Sequence, residues 1–270
     1  MSNKSMPIGV FDSGVGGLTA VAELRKILPH EDIIYLGDTA RVPYGTKSRE
    51  TILKYAEQDL AFLKRRGVKF AIAACGTVSS VMVGKNAFTD DICTGVIGPT
   101  VEAACRATKN KKIGVIATGA TVRSSNYEML IKAAMPDAEV ISQACPMFVP
   151  LVENGYISKG CVPTLAFARE YLEPMKERGI DTLILGCTHY PLLSEVISEV
   201  VGENVTLISS GAEAARYAKS LLEKNGLLSD KAEQGKIDLY CTDSVELFRE
   251  NVQHIIDLDG ITVERRQVED

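Results

Sequence analysis

Short apolar runs alternate along the chain with longer stretches of helical periodicity. The runs are rich in β-branched residues and lie near residues 6–11, 33–36, 69–74, 94–97, 113–117, 138–142, 181–185, 205–208, 237–240 and 261–264. The longer stretches place apolar residues on one helix face, as after Pro191 at Leu192, Leu193, Val196, Ile197, Val200 and Val201. Strands that alternate with helices form βαβ units, whose strands pair in parallel. The pattern therefore predicts an α/β protein.

An early part of the chain and a later part share a local pattern. Residues 8–11 align with residues 113–116 at an offset of 105. The same offset places residues 13–14 on residues 118–119, where a small hydroxyl residue is followed by Gly in both cases. The match is short, but it falls on the end of a predicted strand and the turn that follows.

A second match places Cys75 on Cys187. Residues 72–75 align with residues 184–187 at an offset of 112, so each cysteine follows an apolar run. In open α/β sheets, ligands bind outside the carboxyl ends of the strands, which is where both cysteines are expected. The alternative is that two unrelated strand ends happen to carry Cys.

We interpret the two matches as two similar lobes, each with a mostly parallel sheet flanked by helices, and an active site in the cleft between them. The last strands, after about residue 208, have no counterpart and are expected to return to the first lobe. This predicts a discontinuous first lobe of residues 1–97 plus 208–270, and a second lobe of residues 98–207.

The segment FDSGVGGLTA at residues 11–20 is a Gly-rich turn between a strand and a helix, where backbone N–H groups favour anions. A dinucleotide fingerprint needs Gly-x-Gly-x-x-Gly, and here Gly14 and Gly16 fit but Thr19 occupies the third position. Asp12 would also place a carboxylate beside the pyrophosphate. Nicotinamide or flavin binding is therefore disfavoured, and a turn that uses Gly for packing alone is the alternative.

Cys75 and Cys187 each stand between a strand and a helix start. A helix N-terminus stabilises a thiolate, so this position is expected to lower a cysteine pKa from its free value of about 8.5. A buried cysteine more commonly behaves as a small apolar side chain, which is the competing interpretation for either one. That interpretation is adopted for Cys93, Cys105, Cys145, Cys161 and Cys241.

Two thiols across a cleft suit removal of a proton from one face of a carbon and its return to the other face. Each substrate enantiomer then uses the opposite protonation pattern, with one thiolate and one thiol. Asp12 beside Cys75 and His189 beside Cys187 are candidates to hold or transfer protons. A Cys-His thiol hydrolase is an alternative, although one nucleophile would leave the second cysteine unexplained. A metabolite-binding protein without catalysis is another.

Composition and charge limit the classes of molecule that this protein is expected to bind. The chain has 270 residues with 30 Lys and Arg against 35 Asp and Glu, a net charge of −5, so no basic surplus favours nucleic acid or anionic lipid. No apolar run is long enough to span a membrane, and the start MSNKSMP lacks the apolar region of a signal peptide. No C-x-x-C or H-x-x-x-H spacing indicates a metal. We expect a cytoplasmic protein with a small-molecule substrate and no metal.

Five segments together resemble the glutamate racemase family. They are FDSGVGGLTA at 11–20, GDTARVPYGTKS at 37–48, ACGT at 74–77, QACPMFVPLVENG at 143–155 and LILGCTHYPLL at 183–193. The resemblance extends over nearly the whole chain. It implies two α/β lobes, interconversion of L- and D-glutamate for peptidoglycan synthesis, two cysteine bases, no cofactor, and a homodimer.

The resemblance also assigns site residues. Cys75 and Cys187 would be the bases, assisted by Asp12 and His189, with Glu153 as a further candidate acid. Asp12 and His189 would also contact the substrate. The other residues that would line it are Ser13, Tyr44, Gly45, Gly76, Thr77 and Thr188.

Gly76 departs from the family pattern, which usually has Asn between the first Cys and Thr. An amide donor is lost, although the backbone N–H of Gly76 remains. An aspartate racemase or a racemase of broad specificity is the alternative within the superfamily, because such enzymes share the fold and the cysteine pair. The VPYG and GCTHYP segments favour glutamate.

Overall fold

The computed structural model describes residues 3–83, 92–253 and 255–269. Each apolar run predicted from the sequence overlaps a strand. The strands are β1 (Ile8–Asp12), β2 (Ile33–Gly37), β3 (Phe70–Ala73), β4 (Cys93–Gly95), β5 (Lys112–Ala117), β6 (Glu139–Ala144), β7 (Thr182–Leu185), β8 (Thr206–Ser209), β9 (Ile237–Cys241) and β10 (Thr262–Arg265).

Helices connect these strands. They are α1 (Leu18–Ile27), α2 (Arg49–Arg65), α3 (Gly76–Met82), α4 (Ile97–Ala107), α5 (Gly119–Arg123), α6 (Asn126–Ala134), α7 (Phe148–Glu153), α8 (Val162–Glu177), α9 (Ser194–Val201), α10 (Ser210–Lys224) and α11 (Val245–Val252). Hydroxyl side chains cap four of them by accepting a backbone N–H of the first turn; the capping residues are Ser48, Thr118, Ser209 and Ser244. Within the described ranges, no helix combines the length and apolarity needed to cross a bilayer.

The strands form two sheets. A six-stranded sheet has the order β10-β9-β2-β1-β3-β4, and a four-stranded sheet has the order β6-β5-β7-β8. Every strand pair recorded in the described part of the chain is parallel. The predicted α/β class, with two parallel sheets flanked by helices, is confirmed.

The last two strands, β9 and β10, lie in the same sheet as β1. Strand β8 ends at Ser209 in the four-stranded sheet, just past residue 207, where the second lobe was expected to end. The division into residues 1–97 plus 208–270 and 98–207 stays a prediction. Here the six-stranded sheet and its helices are called the first lobe, and the four-stranded sheet and its helices the second lobe.

One apolar core lies between the sheets and joins them. Side chains alternate across a strand, so Val10 faces this shared core while Phe11 packs on the opposite face of the first sheet. Helices α1, α4 and α10 contribute buried residues to the shared core, which also contains Val115 and Ile184 of the second sheet. Helices α1 and α10 approach closely, since a Cβ at Gly211 would lie 3.2 Å from Ala20 Cα.

A buried ion pair joins Lys69 and Glu31 at the amino-terminal edge of the first sheet, directly before β3 and β2. Their side chains are 1% and 3% exposed. The Lys69 ammonium also donates to the carbonyls of Lys4 and Leu227, at 2.8 and 2.9 Å. Glu31 accepts from the Ser229 backbone N–H at 2.7 Å. The pair therefore ties two distant segments of the chain to the sheet.

Loss of one member of this pair should strongly destabilise the fold. Lys69→Met leaves the Glu31 carboxylate buried without its cation, and we expect the free energy of unfolding to fall by about 3–5 kcal/mol. Urea denaturation followed by circular dichroism measures it. The matched control is Lys132→Met, which removes an exposed pair with Glu128 and should change stability by about 0.5 kcal/mol or less. Equal effects of the two substitutions would contradict this prediction.

Candidate active site

A cavity of about 480 Å³ opens at the carboxyl ends of the strands of both sheets. Ten of the eleven site residues named from the sequence line it: Ser13, Tyr44, Gly45, Cys75, Gly76, Thr77, Glu153, Cys187, Thr188 and His189. Asp12 is buried and contacts this lining through Thr188, whose hydroxyl donates to Asp12 Oδ2 at 3.4 Å. The cavity thus gathers residues that are far apart in the sequence.

Cys75 follows β3 and precedes α3, where its side chain is buried. The Ser13 Oγ lies 3.5 Å from its Sγ. Burial, together with the nearby charge of Asp12, raises the pKa of Cys75 to about 12. The sequence-based expectation of a lowered pKa is wrong for this cysteine, because desolvation and a like charge outweigh the helix start.

Cys187 follows β7 and has a different set of partners. Its Sγ lies 3.8 Å from His189 Nδ1, and His189 Nε2 lies 3.1 Å from Glu153 Oε1. Burial by itself lowers the pKa of His189, but the hydrogen bonds to Cys187 and Glu153 outweigh it and raise that pKa to about 10. These hydrogen bonds favour the imidazolium beside Cys187, whereas the charge that acts on Cys75 is the Asp12 carboxylate.

Asp12 is the last residue of β1, and its side chain contacts the Gly-rich turn that follows the strand. Its Oδ2 accepts the backbone N–H of Gly17 at 2.6 Å, and a Cβ at Gly17 would lie 2.6 Å from Asp12 Cβ, so only Gly fits. The sequence predicted that the N–H groups of this turn would bind an external anion. The Gly17 N–H instead donates to the Asp12 carboxylate. Among the described residues, Asp12 Oδ1 has no hydrogen-bond partner.

Tyr44 lines the cavity within a short 3₁₀ turn, Tyr44–Thr46. Its hydroxyl donates to Asp38 and, at 3.2 Å, to Asp59, neither of which lines the cavity. Arg41 bonds both carboxylates. Burial and Asp38 raise the pKa of Asp59, and burial together with the two acids raises the pKa of Tyr44. The phenol therefore anchors this turn, whose residues Tyr44, Gly45 and Thr46 line the cavity.

Several lining residues were not among the site residues named from the sequence, including Thr118, Gly119 and Cys145. Thr118 Oγ1 lies 3.1 Å from Thr77 Oγ1, so hydroxyls from the two lobes meet. The offset of 105 that places residue 13 on residue 118 was a signal for Thr118 that sequence reasoning did not use. Cys145 was assigned to packing; it is buried at the cavity wall, and burial raises its pKa.

Much of the remaining wall is apolar and includes Val42, Pro43, Pro146, Val149 and Pro150. A mostly apolar cavity with a few convergent polar groups is typical of a small-molecule site. In the described ranges, no group of three or more His, Cys, Asp or Glu side chains is placed to hold a metal ion. Fold and site together define a two-lobed α/β protein with a thiol from each lobe in one cleft.

Known proteins agree with this class. The model of the Asp/Glu/Hydantoin racemase family matches residues 18–218. A glutamate racemase of Geobacter metallireducens is 46% identical over 237 residues, covering 87% of each chain. One from Enterococcus faecalis is 41% identical over 268 residues, covering 98% of this chain and 97% of that protein. The chain belongs to the Asp/Glu/hydantoin racemase family.

Solved structures agree as well. A glutamate racemase isoform of Bacillus anthracis superposes with a TM-score of 0.91 at 37% identity, covering 98% of each chain. The Francisella tularensis glutamate racemase, solved in complex with D-glutamate, superposes with a TM-score of 0.87 at 38% identity, covering 98% of this chain and 99% of that one. The resemblance stated from the sequence motifs is confirmed.

The raised pKa of Cys75 predicts a specific pH dependence of alkylation. Only the thiolate reacts, so the rate of Cys75 modification by iodoacetamide should rise about tenfold per pH unit from pH 7 to pH 9.5 without levelling. Peptide mass spectrometry separates Cys75 from the other cysteines. Asp12→Asn removes the like charge and should speed Cys75 modification at pH 8. Levelling of the rate as the pH approaches 9.5, about one unit above the ordinary thiol pKa of about 8.5, would show that the thiol ionises normally.

The protonated state of His189 should depend on Glu153. Glu153→Gln replaces a charged acceptor by a neutral one, so the pKa of His189 should fall below about 10. An NMR titration of the His189 ring protons measures the change. The control is Glu177→Gln, an exposed residue of α8, which should leave the titration unchanged. An unaltered His189 titration in Glu153→Gln would contradict the role given to Glu153.

Proposed function

We propose that this chain interconverts L- and D-glutamate by a cofactor-independent two-base mechanism in which Cys75 and Cys187 are the bases. The observation that carries the proposal is the position of the two thiols. They follow interior strands of different sheets, β3 and β7, and line one cavity. A base on each side of a bound amino acid can remove the Cα proton from one face and supply a proton to the other.

We assign opposite roles to the two thiols. Cys187, whose Sγ lies 3.8 Å from His189 Nδ1, is the base for one enantiomer. Cys75, with its pKa raised to about 12, is the protonated thiol that donates to the opposite face. The other enantiomer needs the reverse pattern, with Cys75 as thiolate and Cys187 as thiol. The net change is inversion at Cα, without any bond formed to the protein.

Three side chains are assigned to adjust these protonation states: the buried His189 and Asp12, and the partly exposed Glu153. His189 can supply a proton to Cys187, and Glu153, whose side chain is 42% exposed, connects the imidazole to the solvent side of the cleft. Asp12, with one carboxylate oxygen lacking a partner among the described residues, lies where it can take a proton as Cys75 ionises. Asp12 of the first lobe thus serves Cys75, and His189 with Glu153 of the second lobe serves Cys187, each in a different half-reaction.

Removal of a Cα proton also requires stabilisation of the carbanion. The charge that develops spreads onto the α-carboxylate, where preorganised donors stabilise it. The hydroxyls of Ser13, Thr77, Thr118 and Thr188 and the backbone N–H of Gly76 are the donors we assign to this carboxylate. The Tyr44–Thr46 turn, which includes Gly45 and is held by Asp38 and Asp59, is assigned to the side-chain carboxylate.

The relatives support glutamate as the substrate, because those cited above are glutamate racemases and one was solved in complex with D-glutamate. The proposal includes a role in the supply of D-glutamate for peptidoglycan, a cytoplasmic location and a homodimer. The family resemblance supports these three points, and sedimentation of the purified protein tests the homodimer.

Incubation with L-glutamate in deuterium oxide, without added cofactor, tests the reaction. We expect optical rotation to decay to zero and the D-product to carry deuterium at Cα. Cys75→Ala and Cys187→Ala should each abolish racemisation, because inversion requires both bases. The control is Cys105→Ala in α4, a cysteine outside the cavity lining, which should retain activity.

Other outcomes point to other functions. Turnover of L-aspartate but not L-glutamate would replace the substrate and keep the mechanism. Dependence of a hydrolytic activity on only one of the two cysteines would favour the thiol hydrolase. If the wild-type protein changed neither the optical rotation nor the Cα deuterium content of any amino acid, a binding protein without catalysis would be favoured.

A further inference from the structure

The backbones of the two cysteine turns touch at Gly76 and Gly186. Gly76 directly follows Cys75, and Gly186 directly precedes Cys187. A Cβ built on Gly76 would lie 2.3 Å from the carbonyl oxygen of Gly186, a separation that real Cβ atoms essentially never show. Because the atom encountered belongs to the backbone, no side-chain rotation can relieve the contact.

The Gly186 carbonyl is also held in place from behind. The Gly186 N–H donates to Ile116 O at 2.8 Å, which continues the pairing of β5 and β7. A Cβ on Gly186 itself would lie 2.9 Å from Ile116 O and 3.2 Å from the ring of Tyr127. Retreat of this carbonyl would therefore disturb the second sheet, so we expect a side chain at position 76 to increase the separation between the two cysteine turns.

A second contact of the same kind lies nearby. A Cβ on Gly16 would lie 2.4 Å from Thr188 Oγ1 and 2.5 Å from His189 Nδ1. These are the atoms that contact Asp12 and Cys187. Glycines of the first lobe thus contact the second lobe at two points. Gly76 does so beside Cys75, and Gly16 does so beside His189.

We propose that Gly76 is a positioning residue that sets the closest approach of the two lobes at the cysteines, and so the separation between the thiolate that removes the Cα proton and the thiol that supplies a proton to the opposite face. This inference rests on the proposed racemase function. A methyl group at position 76 requires a displacement of roughly 1 Å to reach ordinary contact with Gly186 O. A misplacement of about 1 Å can cost about a hundredfold in rate when reacting groups must be aligned.

The same contact predicts how Asn at position 76 would affect turnover. The family pattern usually has Asn here, which would supply the amide donor that Gly76 lacks. Asn also carries the Cβ that the Gly186 carbonyl excludes in this chain. Gly76→Asn is therefore expected to impair turnover rather than improve it.

Gly76→Ala tests the proposal, with Gly98→Ala as the matched control. Both glycines lie in the first turn of a helix, and a Cβ at Gly98 meets nothing within 4 Å. We expect Gly76→Ala to lower kcat for racemisation about a hundredfold with a smaller change in KM, and Gly98→Ala to leave both unchanged. Gly76→Asn should lower kcat at least as much as Gly76→Ala does.

Deuterium exchange separates positioning from a general loss of structure. In deuterium oxide, the ratio of Cα deuterium in recovered substrate to that in inverted product should rise in Gly76→Ala, because one thiol can still remove the proton while delivery from the other is impaired. An unchanged ratio with a lowered melting temperature would overturn the proposal. Racemisation by Gly76→Ala or Gly76→Asn within threefold of wild type would also overturn it.

A crystal structure of Gly76→Ala gives a readout that does not depend on activity. The distance between residue 76 Cα and Gly186 O should increase by roughly 1 Å relative to wild type. A methyl group accommodated at the wild-type spacing overturns the inference even if the protein is a racemase. Absence of any racemisation by the wild-type protein, with the widened spacing present in the variant, instead means that the proposed function fails.

Discussion

The apolar core shared by the two sheets is the constraint on which the cavity depends. Val10, Ile72, Val115 and Ile184 come from β1, β3, β5 and β7, and all belong to one contiguous cluster of buried side chains. Closely packed interiors resist gradual deformation, so the carboxyl ends of these strands are held in one arrangement. The residues at and just after those ends supply the hydroxyls, the Asp12 carboxylate and the two thiols of the site.

Within that frame, burial determines how the two thiols differ. Desolvation and the charge of Asp12 act in the same direction on Cys75, so the thiol form is favoured. On the other side, His189 is buried between Cys187 and Glu153, and hydrogen bonds to both overcome the desolvation of its cation. A site assembled from two similar lobes is thus electrostatically unequal. That inequality suits a reaction that needs one base and one acid at any moment.

The Tyr44–Thr46 turn shows how buried charge can position a part of the site without touching a ligand. Arg41 lies between Asp38 and Asp59, while the Tyr44 hydroxyl donates to both carboxyl groups. Two acids and one cation in a buried cluster favour a proton on one of the acids, which agrees with the raised pKa of Asp59. The cluster holds this turn at the cavity wall through the hydrogen bonds of the Tyr44 hydroxyl.

Local pattern was enough to place the strands and to identify both cysteines, because burial of a parallel strand imposes a continuous apolar run and a loop begins where that run ends. Ser13, Thr77 and Thr188 were found for the same reason. Tertiary structure alone decided the rest. The direction of the Cys75 pKa shift, the partners of the Tyr44 hydroxyl and the contact between Gly76 and Gly186 each depend on atoms contributed by distant segments. Desolvation, charge and close contact act through space, whereas periodicity acts along the chain.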